Sequence, residues 1–134
     1  GIIQTHKDRS DADRLVEIRH DLEVLIDTYA PEIVSIEKLF FFKNLKTVIP
    51  VAQARGVVLE LLAAKQIPIY EYTPLEMKKI ITGNGMAKKN LVSKVIHESF
   101  KLEKQISPDD AVDAVGMALC YVRSDMRFKL QERN

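Results

Sequence analysis

Three carboxylates and a group of lysines are the residues here whose types and spacing could do chemistry. Glu37 ends a short apolar run, Glu32-Ile33-Val34-Ser35-Ile36-Glu37, which reads as a buried strand. In an open α/β sheet, ligands and chemistry sit beyond the carboxyl ends of the strands. A charged group at the end of an apolar strand needs a hydrogen bond, a cation or a metal as partner. Asp110 and Asp113 are spaced so that both project from one face at the start of a helical stretch. Hard cations such as Mg²⁺ take one or two carboxylates and keep water and phosphate as their other ligands. Glu37 and the Asp pair would make such a site if the fold joins them. The pair also has a plainer use. Ser107 is a good N-cap, Pro108 suits a first helical turn, and acidic residues there complement the helix dipole.

Two further groups suit a polyanion. The segment Phe40-Phe41-Phe42-Lys43 sets aromatics beside a cation, a combination suited to stacking on unpaired bases and touching phosphates, although at least two of the Phe are expected in the core. Lys78, Lys79, Lys88, Lys89 and Lys94 flank Gly83-Asn84-Gly85, a turn whose backbone N–H groups could hold a phosphate. The alternative is a solvated charged face with an ordinary turn. His6, His20 and His97 show no ligand spacing, and Cys120 reads as a small core residue.

The elements that must position these groups can be read from periodicity. Gly1 to Thr5 is expected as a strand. Ser10 to Tyr29 is an amphipathic helix with Leu15, Ile18, Leu22, Leu25, Ile26 and Tyr29 facing inward, Ser10 and Asp13 in a capping box, and Pro31 as its stop. The strand to Glu37 follows. A helix from about Val48 to Gln66 carries Ala52, Ala54, Gly56, Ala63 and Ala64, small residues that permit close packing inside the fold or between two copies. Pro68 to Tyr72 is a second short strand. Pro74 opens a helix that ends at Gly83. Lys88 to Leu102 is a helix with Leu91, Val95 and Phe100 inward. Pro108 opens the last long helix, to about Arg123, and a charged tail runs to Asn134. Strands alternating with helices indicate an α/β fold.

The bulk composition limits what partners to expect. A chain of 134 residues, 46% hydrophobic and 29% charged, is an ordinary globular domain with room for a core. A net charge of +1 names no partner by itself, so an anion site must come from local clustering. The single Cys120 allows no internal disulfide and suits a reducing cytosol. No apolar run approaches the roughly 18 residues of a membrane span, and the start Gly1-Ile2-Ile3-Gln4 does not resemble a signal peptide. A cytoplasmic protein without membrane contact is expected. Because the chain does not begin with Met, a trimmed or processed product is expected.

In combination, several blocks resemble the RuvC-type Holliday-junction resolvases, in a form similar to the cyanobacterial members. They are Ile36-Glu37-Lys38-Leu39-Phe40-Phe41, Val51-Ala52-Gln53-Ala54-Arg55-Gly56-Val57-Val58, Tyr72-Thr73-Pro74, Thr82-Gly83-Asn84-Gly85 and Pro108-Asp109-Asp110-Ala111-Val112-Asp113-Ala114. They occur in the family's order, and the resemblance covers about Gly1 to Tyr121. It implies an RNase H-like α/β fold, a mixed sheet flanked by helices, with one nuclease domain over residues 1–123 and a charged tail over 124–134. It also implies a homodimer that makes paired symmetric nicks in four-way junction DNA, with a branch-migration motor complex as a further partner. The cofactor implied is Mg²⁺, two ions per active site, with Mn²⁺ as a substitute.

By the same resemblance Glu37, Asp110 and Asp113 match the second, third and fourth of four metal-holding acidic residues. Lys78 and Lys89 match basic positions of the DNA-binding face, and of the lysines Lys89 is the one expected to stabilise phosphate charge. Phe40 matches a base-stacking position. Beyond the resemblance, Lys78, Lys88 and Lys94 are expected on backbone phosphates, and Lys43 on DNA next to Phe40. The helix around Gln53-Ala54-Arg55-Gly56 resembles the region that contributes to the dimer interface. The family's first acidic residue lies in a motif like G-x-D-P-G on an N-terminal strand. This sequence has no such motif and starts where the family's third strand starts, so an N-terminally incomplete fold is expected. The rival reading is a non-catalytic, junction-binding or structural dimer of the same fold.

Overall fold

A computed structural model describes residues 1–38 and 45–131, the side chains of 45–47 and 126–131 excepted. Its elements run in the order α1 (Asp11–Tyr29), β1 (Val34–Glu37), α2 (Leu45–Ala64), β2 (Ile69–Tyr72), α3 (Pro74–Thr82), α4 (Lys89–Phe100) and α5 (Asp109–Gln131). The chain divides into two compact units. One is formed chiefly by α1 and α2, the other by the end of β1, most of β2 and helices α3 to α5.

The two strands pair with each other. Val34 N–H donates to Pro68 O at 2.9 Å, and Lys38 N–H donates to Tyr72 O at 2.8 Å. Both strands advance by the same step between these bonds, so the pairing is parallel. A parallel pair needs a crossover of a dozen residues or more, and α2 lies in that connection.

In the first unit, Ser10 starts α1. Its Oγ accepts from Asp13 N–H at 3.1 Å and donates to Asp13 Oδ2 at 2.7 Å. The helix ends at Ala30, whose φ of 44° is left-handed and whose N–H returns to Ile26 O, just ahead of Pro31. The core here is Ile26, Leu61 and Leu62, with Leu22, Val34, Val58, Ile67 and Ile69 packed on it. Leu25 and Tyr29, expected inward, are exposed. Periodicity assigns a face to a helix, but not how far along it the neighbouring element reaches. Gly56, Ala63 and Ala64 also lie exposed while Ala52 and Ala54 are half-buried, and the core of this unit is built on Val58, Leu61 and Leu62.

In the second unit, α3 carries a full capping box. Thr73 Oγ1 accepts from Glu76 N–H at 3.1 Å, Glu76 Oε2 accepts from Thr73 N–H at 2.8 Å, and Pro74 occupies the first position. Gly83 closes the helix at φ 81°, a left-handed conformation that favours glycine. Met77, Ile81, Val92, Ile96, Met117 and Cys120 form the centre of the core. Gly116 lets α5 approach α3, since a Cβ there would stand 2.7 Å from Met77 Sδ. Arg123 ties the unit together by donating to the carbonyls of Ile80 and Ile81 at the end of α3 and to Ser99 Oγ on α4.

Three further expectations are corrected. Gly1 to Thr5 forms no strand, because a run of β-branched residues becomes a strand only with a partner to pair with. In α4 the buried stripe is Val92 and Ile96, while Leu91 and Phe100 are exposed and Val95 is half-buried. Adjacent apolar residues at Leu91 and Val92 leave the face ambiguous by one residue, about 100° of rotation. Helix α5 continues past Arg123 to Gln131, into the stretch expected as a tail.

Candidate functional site

The site grows from one hydrogen bond. Ser35 Oγ, on β1, donates to Met117 O of α5 at 2.7 Å. Ser35 and Glu37 project from the same face of the strand, because side chains alternate with a period of two. Asp113 lies one helical turn before Met117, on the same face of α5. The bond therefore sets the register that brings Glu37 and Asp113 to one place. Both line a cleft of about 730 Å³ formed by the end of β1 and helices α3, α4 and α5.

Lysines and carboxylates share the cleft, Glu98 and Asp109 being among its lining. Lys78 reaches it from α3, and Lys89 and Lys94 from α4. Lys89 Nζ lies 3.5 Å from Asp109 Oδ2, and Lys94 Nζ lies 3.9 Å from Glu98 Oε1. All four side chains are well exposed, so these pairs are weak and leave both ammonium groups able to exchange partners. Lys88 is exposed at the N-cap position of α4 and is not part of the lining. Phe40 and Lys43 lie outside the described residues.

Asp110 is exposed in the first turn of α5 and does not line the cleft. The lining stripe of α5 is Asp109, Val112, Asp113 and Met117, at steps of three and four. Asp110, about 100° around the helix from Asp109 and about 60° from Asp113, borders that stripe without lining the cleft. Asp109 is thus a cleft carboxylate that the sequence reading passed over. His97 is another group it left aside, and on α4 it follows Lys89 and Ser93 at steps of four. Its Nε2 accepts from Ile106 N–H at 3.4 Å, which joins α4 to the segment that leads into α5. Counting threes and fours from Lys89 and from Asp113 would have found both.

Among the described residues, no group of three or more His, Cys, Asp or Glu side chains is close enough to hold a metal ion. Glu37 and Asp113 fit a lesser requirement. Mg²⁺ is commonly held by one or two carboxylates, its other positions going to water and substrate phosphate. Hard oxygen donors beside three lysines match that pattern.

Comparison with known proteins gives the family. The family described as "Crossover junction endodeoxyribonuclease RuvC" matches residues 1–121. The crossover junction endodeoxyribonuclease RuvC of Petrotoga mobilis is 44% identical over 129 residues, 96% of this chain and 79% of that protein. Its counterpart in Prochlorococcus marinus (strain MIT 9211) is 45% identical over 119 residues, 89% of this chain and 75% of that protein. Among solved structures, Thermus thermophilus RuvC superposes with a TM-score of 0.86 at 24% identity, covering 95% of this chain and 76% of that one. T. thermophilus RuvC in complex with Holliday junction substrate gives 0.86 at 25% identity, covering 93% and 78%. The α/β, RNase H-like architecture expected from the sequence is the one found. By these matches the chain belongs to the RuvC family of crossover junction endodeoxyribonucleases.

Proposed function

We propose that this protein is a divalent-cation-dependent endodeoxyribonuclease that resolves four-way DNA junctions by paired phosphodiester hydrolysis in recombination and repair. The observation that carries the reading is the convergence of Glu37 and Asp113 with Lys78, Lys89 and Lys94 on one cleft. The named relatives and the junction-bound structure of one of them support it.

Glu37 and Asp113 would hold Mg²⁺, or Mn²⁺ in its place, with Asp110 beside them on α5 as the third ligand that the family resemblance implies. When bound, such an ion lowers the pKa of a water and neutralises charge on the phosphate being cut. Lys89 faces the same space and stabilises the charge that builds on the phosphate oxygens. Lys78 and Lys94 hold neighbouring phosphates, and Lys88 extends that contact outside the cleft. Phe40 stacks at the opened junction centre, with Lys43 on the backbone beside it. Two copies of the chain make the paired cuts, residues 1–123 acting as one nuclease domain and 124–134 as an appendage. A branch-migration motor complex delivers the junction, in the cytoplasm.

The test is cleavage of a labelled four-way junction in Mg²⁺ by the wild type and by Glu37→Gln. Symmetric nicks lost on substitution support the reading. The second reading, a junction binder that does not cut, draws on the position of Asp110 outside the cleft lining. Tight binding by the wild type without nicks in either Mg²⁺ or Mn²⁺ would favour it.

A further inference from the structure

The turn between α3 and α4 spends its backbone donors on itself. Gly83 N–H donates to Lys79 O at 2.9 Å, Asn84 N–H to Thr82 Oγ1 at 3.2 Å, Met86 N–H to Asn84 Oδ1 at 2.9 Å, and Ala87 N–H to Asn84 O at 3.1 Å. Those four donors are therefore taken. What the turn presents outward is apolar. Met86 is 82% exposed, more than any other large hydrophobic residue among those described. Leu75, 57% exposed, stands against the same turn, since a Cβ at Gly85 would lie 3.2 Å from Leu75 Cγ.

Single exposed apolar residues are common and need no explanation, but three features set this pair apart. First, the two side chains flank one turn. Second, that turn is fastened, by its internal hydrogen bonds and by Ala87, which is buried in the core. Met86 is therefore held out in water rather than free to fold back. Third, cations border it. Lys88 and Lys89 follow within three residues, and Pro74 and Lys78, on either side of Leu75, line the cleft that holds Glu37 and Asp113. An apolar prominence bordered by lysines complements a polyanion that has an apolar interior. Proteins that bind the minor groove use that combination, with Met, Leu or Pro pressed against the base steps while basic residues hold the flanking phosphates.

We propose that Met86 and Leu75 form an apolar foot that seats in the minor groove of a duplex arm of the bound DNA, with Lys88 on the phosphates beside it. This rests on the junction-DNA reading above and adds to it a contact outside the cleft. Met86 suits the role because its flexible thioether adapts to an irregular surface.

The experiment measures binding of wild type, Met86→Ser and Lys88→Ala to a labelled four-way junction in EDTA across a range of salt. An apolar contact releases no counterions. Met86→Ser should therefore weaken binding about three- to tenfold at every salt concentration, leaving the slope of log K against log salt unchanged. Lys88→Ala should lower that slope by about one. Thermal melting checks that the exposed substitution leaves the fold intact, and Leu75→Ser is the second variant. Wild-type binding on both substituted chains, Met86→Ser and Leu75→Ser, at all salt concentrations would overturn the foot and leave the junction reading standing. A wild type that fails to bind the junction at low salt would overturn both. A change in sedimentation of Met86→Ser without DNA would show that a second copy covers the patch, and would also overturn the proposal.

Discussion

At the scale of single residues, the geometry of the cleft depends on Ser35 as much as on the carboxylates. Its hydroxyl joins β1 to α5 at 2.7 Å, and Glu37 and Asp113 take their places from that bond. Ser35→Ala should cost about 1 kcal/mol of stability in urea unfolding. It should slow nicking while leaving junction binding in EDTA unchanged, because the lysines stay where they are. Lys78 belongs to a different class. It is half-buried on α3 and lines the cleft, and no carboxylate among the described residues lies within ion-pair distance of it. Lys78→Ala should weaken binding to every DNA sequence alike and lower the salt slope by about one. Much of this scale was legible in the sequence. Glu37 was found as the polar end of an apolar strand and Asp113 as one of an i, i+3 pair, and both face the cleft. Asp109 was passed over because the resemblance pointed one residue further along, while the cleft is lined by Asp109 and Asp113, four residues apart.

At the scale of elements, α3 carries the clearest local signal. The Thr73–Glu76 capping box and Pro74 fix its start, and this helix supplies Lys78 to the cleft. Thr73→Ala should destabilise the protein by about 1 kcal/mol. The Thr73 backbone N–H, and then its hydroxyl, hold the Glu76 carboxyl below its ordinary value near 4.5. A depressed folded-state value means that the contribution is present above the unfolded value and is lost as pH falls through the folded one. Glu76→Gln should therefore flatten the acid limb of the stability profile below about pH 4.5, as read by urea midpoints at successive pH values. Caps and turns were legible because their chemistry is local: Ser10, Thr73, Pro74 and Gly83 each act on their own neighbours. The inward face of α4 was not. Leu91 and Val92 are equally apolar, and only packing against Met77, Ile81 and Met117 decides between them. Pairing of Gly1 to Thr5 was likewise a tertiary matter that composition could not decide.

At the scale of the whole molecule, a net charge of +1 hides a local gathering of both signs. Lys78, Lys89 and Lys94 line one cleft together with Glu37, Glu98, Asp109 and Asp113. The core beneath is apolar, and Cys120 lies within it. Burial pushes its thiol up to about 11. The neutral thiol therefore favours the folded state fully below its ordinary value of 9.0, and that contribution is lost as pH rises through about 11. Cys120 should react with a thiol reagent at pH 8 only as fast as the protein opens, and at once in denaturant, so its labelling rate reports global unfolding. The central claim concerns the cleft, and one comparison tests it most directly: nicking of a labelled four-way junction in Mg²⁺ by wild type and Glu37→Gln, with binding in EDTA measured in parallel. The cleft predicts symmetric nicks by the wild type, a loss of at least about a hundredfold on substitution, and junction affinity nearly unchanged. Nicking by Glu37→Gln at the wild-type rate would contradict it.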